Sequence, residues 1–149
     1  MGLFTSKEAK KAKEYMQKFL TNCNAESLRG VNWNVEINDN CVFFTCDEEN
    51  FSNGLKRCLG YGDYQGNVMI IYNPKERYLV FDVYYGENVK SYTQLRTNVE
   101  FTRNTSNCDI ELQMTDSQRP YLHISKIIPP NSLTEEFENM ALAFCMIVE

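Results

Sequence analysis

With 149 residues, 43% of them hydrophobic and 23% charged, the chain has the size and composition of one globular domain rather than of a disordered segment. Its net charge of −5 argues against nucleic acid as a partner, and no apolar run approaches the length of a membrane span. The N-terminus lacks the charged-then-apolar pattern of a secretory signal, so a cytoplasmic protein is expected.

The charge is uneven, with five lysines against two glutamates in residues 1–20 and four glutamates with no cation in residues 130–149. The six cysteines (Cys23, Cys41, Cys46, Cys58, Cys108, Cys145) form no Cys-x-x-Cys pair, and His123 is the sole histidine. Cys41 and Cys46 fall at odd and even positions of one strand and so on opposite faces. Reduced thiols, with no metal and no cofactor, are expected.

Thr5 and Glu8 have capping-box spacing for a first helix running to about Asn22, whose apolar face is Ala9, Ala12, Tyr15, Met16, Phe19 and Leu20. Its lysines fall on the other side. Met1-Gly2 with Ser6 also fits the permissive N-myristoylation pattern, and the basic amphipathic helix beside it would supply a second membrane signal. A solvated lysine face is the expected outcome, with no membrane association.

Val31, Trp33, Val35 and Ile37 alternate with polar residues as a half-buried strand does. Asn38-Asp39-Asn40 supplies turn chemistry, and Cys41 to Cys46 completes a hairpin. Asp47-Glu48-Glu49 lacks the spaced oxygen ligands and glycine of a calcium loop and reads as a solvated turn. A short helix over Phe51 to Leu59 and a loop from Gly60 to Gly66 follow. That loop looks like a phosphate-binding loop only superficially, because its third glycine is one residue late and a strand follows where a helix is required.

Asn67 to Tyr72 and Arg77 to Tyr85 are the strongest strands, joined by the turn Asn73-Pro74-Lys75-Glu76. From Glu87 to about Arg103, Thr93, Thr97 and Thr102 favour strand while Val89, Tyr92, Leu95 and Val99 recur at helical steps; the periodicity selects helix. Cys108 to Thr115 and Pro120 to Ile127 form a last hairpin around Asp116-Ser117-Gln118.

A final helix starts at a Ser132/Glu135 capping box, with Leu133, Phe137, Met140, Ala141, Phe144, Cys145 and Val148 as one apolar stripe. Met140 to Val148 contains no polar residue. Leu142, Met146 and Ile147 therefore carry apolar surface beyond that stripe, and they are the expected interface.

The order helix, hairpin, hairpin, helix, hairpin, helix implies an α+β fold, an antiparallel sheet of about five to six strands flanked by N-terminal, middle and C-terminal helices. Over Val89 to Glu149 the chain resembles the class I type III secretion chaperones and the related YbjN family. The resemblance lies in Cys108-Asp109-Ile110-Glu111-Leu112, Tyr121-Leu122-His123-Ile124-Ser125 and Ser132-Leu133-Thr134-Glu135-Glu136-Phe137. It implies a small, acidic, dimeric protein that binds another protein and has no catalytic residues to transfer. Four strand candidates precede the middle helix, one more than it implies.

The residues themselves present no enzyme constellation. His123 is placed on the polar face of a strand, and no nucleophile can be named for it. Tyr61, Tyr64, Tyr84, Tyr85 and Tyr92 are candidate rings for partner binding, with too few cations among them for a nucleic-acid stacking platform. A non-catalytic protein-binding or chaperone-like homodimer is the expected function. Its rivals are a small-ligand-binding protein or hydrolase using the Gly60–Gly66 loop and a peripheral membrane protein using the basic first helix.

Overall fold

The computed structural model describes residues 6–59, 66–85, 92–114 and 119–149. The first helix, α1 (Lys7–Asn22), buries Ala9, Ala12, Met16 and Leu20 at helical steps and half-buries Tyr15 and Phe19, as the periodicity requires. Its cap lies one residue later than expected. Ser6 Oγ accepts from Ala9 N–H at 3.0 Å, and Thr5 lies outside the described residues.

Strands β1 (Asn34–Asn38) and β2 (Cys41–Asp47) pair around Asp39 and Asn40, whose φ values of 52° and 61° match the two left-handed positions of a tight hairpin. β1 begins three residues after the expected Val31, because Val31 N–H closes a turn on Leu28 O and Asn32 N–H goes to Asn50 O. Helix α2 (Asn53–Leu59) starts after Ser52, whose hydroxyl accepts from Leu55 N–H; Phe51 lies before the helix and packs into the core.

β3 (Asn67–Asn73) and β4 (Tyr78–Tyr84) flank a turn in which Asn73 Oδ1 accepts from the N–H groups of Lys75 and Glu76. Arg77, expected in the strand, adopts φ 51° and belongs to that turn.

Helix α3 (Tyr92–Thr105) resolves the competition between threonine content and helical period in favour of helix. Thr97, Thr102 and Thr105 each donate a hydroxyl to the carbonyl four residues back, which accommodates β-branched residues in a helix. The expected part before Tyr92 includes residues outside those described. β5 (Asp109–Met114) and β6 (Pro120–Ile127) pair antiparallel, and their turn at 116–118 is also outside.

The six strands form one antiparallel sheet in the order β1-β2-β3-β4-β6-β5. The last strand thus inserts between β4 and the polar edge strand β5. The final helix, α4 (Leu133–Val148), lies over β4 and β6 and touches both α1 and α3.

One face of the sheet and all four helices share a single core. Register aligns Val35, Phe44, Ile70, Phe81, Ile124 and Ile110 across it. Phe137 of α4 is fully buried at its centre, with ring centroids 6.1 Å from Tyr15, 5.2 Å from Phe19 and 5.6 Å from Phe81. Among the described residues the one charge on this face, Lys126, pairs with Glu136 of α4.

Two expectations about α4 need correction. Ser132 is its N-cap residue, but its hydroxyl donates to Pro130 O instead of capping, so the box with Glu135 does not form. Ile147 is 1% exposed and belongs to the core. Packed between sheet, α1 and α3, the helix buries on three sides most of the apolar surplus that pointed to an external partner.

None of the six cysteines is joined in a disulfide. Burial, then the neighbouring Asp47 charge, pushes Cys46 up to about 12; burial, then Glu149 and Cys23, outweighs the Ser27 hydroxyl and pushes Cys145 up to about 12 as well. Thiolate is the reactive form, so iodoacetamide at pH 8 is expected to spare both in the native protein and to label both in urea, read by peptide mass spectrometry.

The same shifts fix the sign of the alkaline response. Each folded value lies above the ordinary 9.0, so their contribution to stability is complete below about 9 and is lost as pH rises from there toward about 12. Equal native and denatured labelling would show that the two thiols are not shielded.

Candidate functional site

Strand alternation puts a second set of side chains on the sheet face away from the helices. Register aligns Asn34, Thr45, Met69, Asp82, His123 and Glu111 in one row across all six strands, and Glu36, Phe43, Ile71, Val80, Ser125 and Asp109 in the next. Asp47, Asn67, Tyr84, Tyr121 and Gln113 form a third row.

The middle of this face is apolar. Phe43, Met69 and Ile71 are half-buried, Val80 is buried, and none of them belongs to the core shared with the helices. Tyr78 and Ile127 extend the patch at 37% and 66% exposure. A sheet face that were simply solvated would alternate to polar residues here, as the edge strands β1 and β5 do.

Beside the patch sits a polar cluster. Asp82, 8% exposed in a strand otherwise apolar or aromatic, accepts at Oδ1 from the Tyr121 hydroxyl (2.9 Å) and from His123 Nδ1 (2.5 Å). Tyr121 and His123 are two apart on β6 and so share a face, and the β4–β6 register places both next to Asp82. Tyr121 stacks on Tyr84 with centroids 4.5 Å apart. Burial first, then the bond to Asp82 and its charge, raises the Tyr121 phenol above the ordinary tyrosine range.

A carboxylate oxygen can only accept, so Nδ1 carries the hydrogen it shares with Asp82 and Nε2 is the nitrogen left for an outside group. That is how a general base is oriented. Among the described residues, however, no hydroxyl or thiol bonds to Nε2, so the arrangement provides a fixed polar anchor beside an apolar patch and no assembled nucleophile.

His123 therefore lies on the face away from the core, as its alternation with Leu122 and Ile124 implied, and it is bonded there. Of the candidate tyrosines, Tyr84 is on this face, Tyr85 is fully buried and offers no ring, Tyr92 starts α3, and Tyr61 and Tyr64 lie outside the described residues together with most of the Gly60–Gly66 loop. Leu142 is 60% exposed and Met146 half-buried on the outer side of α4, far from Ile147 in environment.

Asp82 and Tyr121 are the residues sequence reasoning passed over. A lone acid inside the run from Tyr78 to Tyr84, and the Tyr121/His123 spacing, were the available signals. Among the described residues no group of three or more His, Cys, Asp or Glu could hold a metal ion, and no helix is long and apolar enough to cross a membrane. Comparison with protein-family models, with curated proteins and with solved structures returns no match to this chain.

Proposed function

We propose that the chain is a non-catalytic protein-binding module, chaperone-like in kind, that receives its partner on the open face of the sheet. The observation that supports this reading is the apolar patch of Phe43, Met69, Ile71 and Val80, which lies outside the core and, among the described residues, has no helix packed on it. Contiguous apolar surface of this kind is a mark of interaction sites. Asp82, Tyr121 and His123 add a fixed polar group at its border, the combination of apolar centre and hydrogen-bonding rim found in protein interfaces.

A second reading, a homodimer, rests on the outer side of the helix layer. Phe101 of α3 and Leu142 of α4 are 61% and 60% exposed. Phe101 shares a helical stripe with Asn98, whose amide donates to Ile147 O across the α3–α4 contact. With Met146 these residues replace the trio expected from sequence. Ile147→Glu would not test the dimer, since it places a carboxylate in the core.

One set of variants tests both readings. Capture of a partner followed by its purification is expected to show binding lost in Ile71→Glu and retained in Leu142→Glu, with unchanged circular dichroism in both. Retention in Ile71→Glu would overturn the sheet-face reading. Light scattering at micromolar concentration is expected to give twice 17.4 kDa for the parent chain and the single mass for Leu142→Glu; a single mass for both removes the dimer.

A further inference from the structure

We infer that the cleft between α1, the β3–β4 turn and the β6–α4 connection binds an acidic peptide segment of a partner protein. The cleft has a volume of about 790 Å³, and its lining carries Lys11, Lys75 and Arg77 against a single carboxylate, Glu8. This is a positive surface on a chain of net charge −5, and Lys7 and Lys10 stand exposed on the same helix. Among the described residues no ion pair engages Lys11, Lys75 or Arg77.

Arg77 is held in place before any ligand arrives. Its Nε donates to Ile128 O at 3.0 Å, and Ile128 N–H donates back to Arg77 O at 2.8 Å. These bonds hold a backbone φ of 51°, in the left-handed region that side-chain-bearing residues rarely adopt. The guanidinium is thereby fixed in the cleft wall with its terminal N–H groups uncommitted among the described residues, a donor fork that fits a carboxylate.

The rest of the lining sets apolar Pro74, Pro129, Pro130 and Leu133 beside the uncharged polar Asn131, Ser132 and Thr134. Cations from two separate segments, Lys11 on α1 and Lys75 with Arg77 on the β3–β4 turn, with apolar surface beside them, fit a chain with carboxylates at intervals and apolar side chains between them. A small anion would instead need donors converging on one point. A nucleic acid would extend past the cleft onto an acidic molecule, meeting Glu138 directly beside Tyr15, whose hydroxyl it accepts at 3.3 Å. The cleft is on the helix side of the sheet, so this inference is independent of the open face.

The test is fluorescence anisotropy with a labelled peptide alternating glutamate and leucine, with its glutamine counterpart as reference. The full chain is expected to bind the first and not the second. The paired reversal Lys11→Glu with Lys75→Glu should weaken binding by about tenfold or more. Arg29→Glu with Lys56→Glu, exposed positions outside the cleft carrying the same change in net charge, should leave binding within twofold.

Equal loss in both pairs would reduce the effect to net charge and overturn the inference. So would full displacement by millimolar inorganic phosphate, which would make this a small-anion site. Binding to phosphatidylserine vesicles through Lys11 and Lys75 without binding of the peptide would replace the inference with a membrane surface, and no peptide binding at all would also end it.

Discussion

Phe137→Ala is expected to lower the unfolding free energy by about 3–5 kcal/mol and the melting temperature by roughly 10 °C. The ring is fully buried and touches aromatic residues of α1 and β4 at once, so its removal opens a cavity where helix layer and sheet meet. Tyr15 and Phe19 would lose an edge-on partner, contacts worth about 0.5–1.5 kcal/mol each beyond the buried area. Neighbours cannot readily collapse into the space, because Tyr15 is anchored by its hydroxyl to Thr134 O and to Glu138. Leu142→Ala, nine residues into the same helix and 60% exposed, is expected to stay within about 0.5 kcal/mol. Urea unfolding of the two variants decides the matter; a Phe137→Ala cost below about 1 kcal/mol would mean that α4 is not the element joining the layers.

The same residues show why some features could be read from the chain and others could not. Ala9, Met16 and Leu20, or Phe137, Phe144 and Val148, lie on one side of a helix by covalent geometry alone, so α1, α4 and their buried faces follow from spacing. The Asp39-Asn40 hairpin is equally local, since both residues tolerate the left-handed backbone that the turn needs.

Strand order is not local. β6 joins β4 across the whole of α3, and only the packed sheet puts its eight residues inside and the polar β5 at the edge, where charged side chains guard unpaired backbone. The Asp82–His123 contact depends on that pairing and so could not be seen in spacing along either strand. The role of Ile147 went astray for a related reason. Helical periodicity tells which residues share a side, but the number of sides covered depends on how many neighbours arrive, and here sheet, α1 and α3 all do. The basic cleft draws on three separate segments and has no sequence signature beyond the lysines of α1.

Gly54→Ala is expected to destabilise the protein by about 1–3 kcal/mol, against the usual sign for this substitution in a helix. Alanine normally gains up to about 1 kcal/mol over glycine inside a helix, because it loses less backbone entropy on folding. In α2 that gain cannot be realised. A Cβ on Gly54 would stand 2.3 Å from the carbonyl oxygen of Glu26, a distance that forces backbone to move. The opposing segment is held from several directions: Glu26 N–H donates to Glu149, the hydroxyl of fully buried Ser27 donates to the same carboxylate, and the N–H groups of Leu28 and Arg29 both bond Ala25 O. α2 in turn is fixed by Leu55 and Leu59, both 0% exposed, so neither side can yield without loosening the core or breaking hydrogen bonds. Gly30→Ala separates this clash from the general effect of adding a methyl group. Its Cβ would meet only Ser52 Cβ at 3.8 Å, and its cost should come from φ +74° alone, about 1–2 kcal/mol. Urea midpoints of the two variants, together with the double variant Gly54→Ala/Glu149→Gln, supply the decisive comparison. If the clash is relieved by movement of residues 25–29, weakening their tether at Glu149 should make Gly54→Ala less costly in the double variant than in the parent; a Gly54→Ala protein more stable than the parent would show that the two backbones do not meet as described.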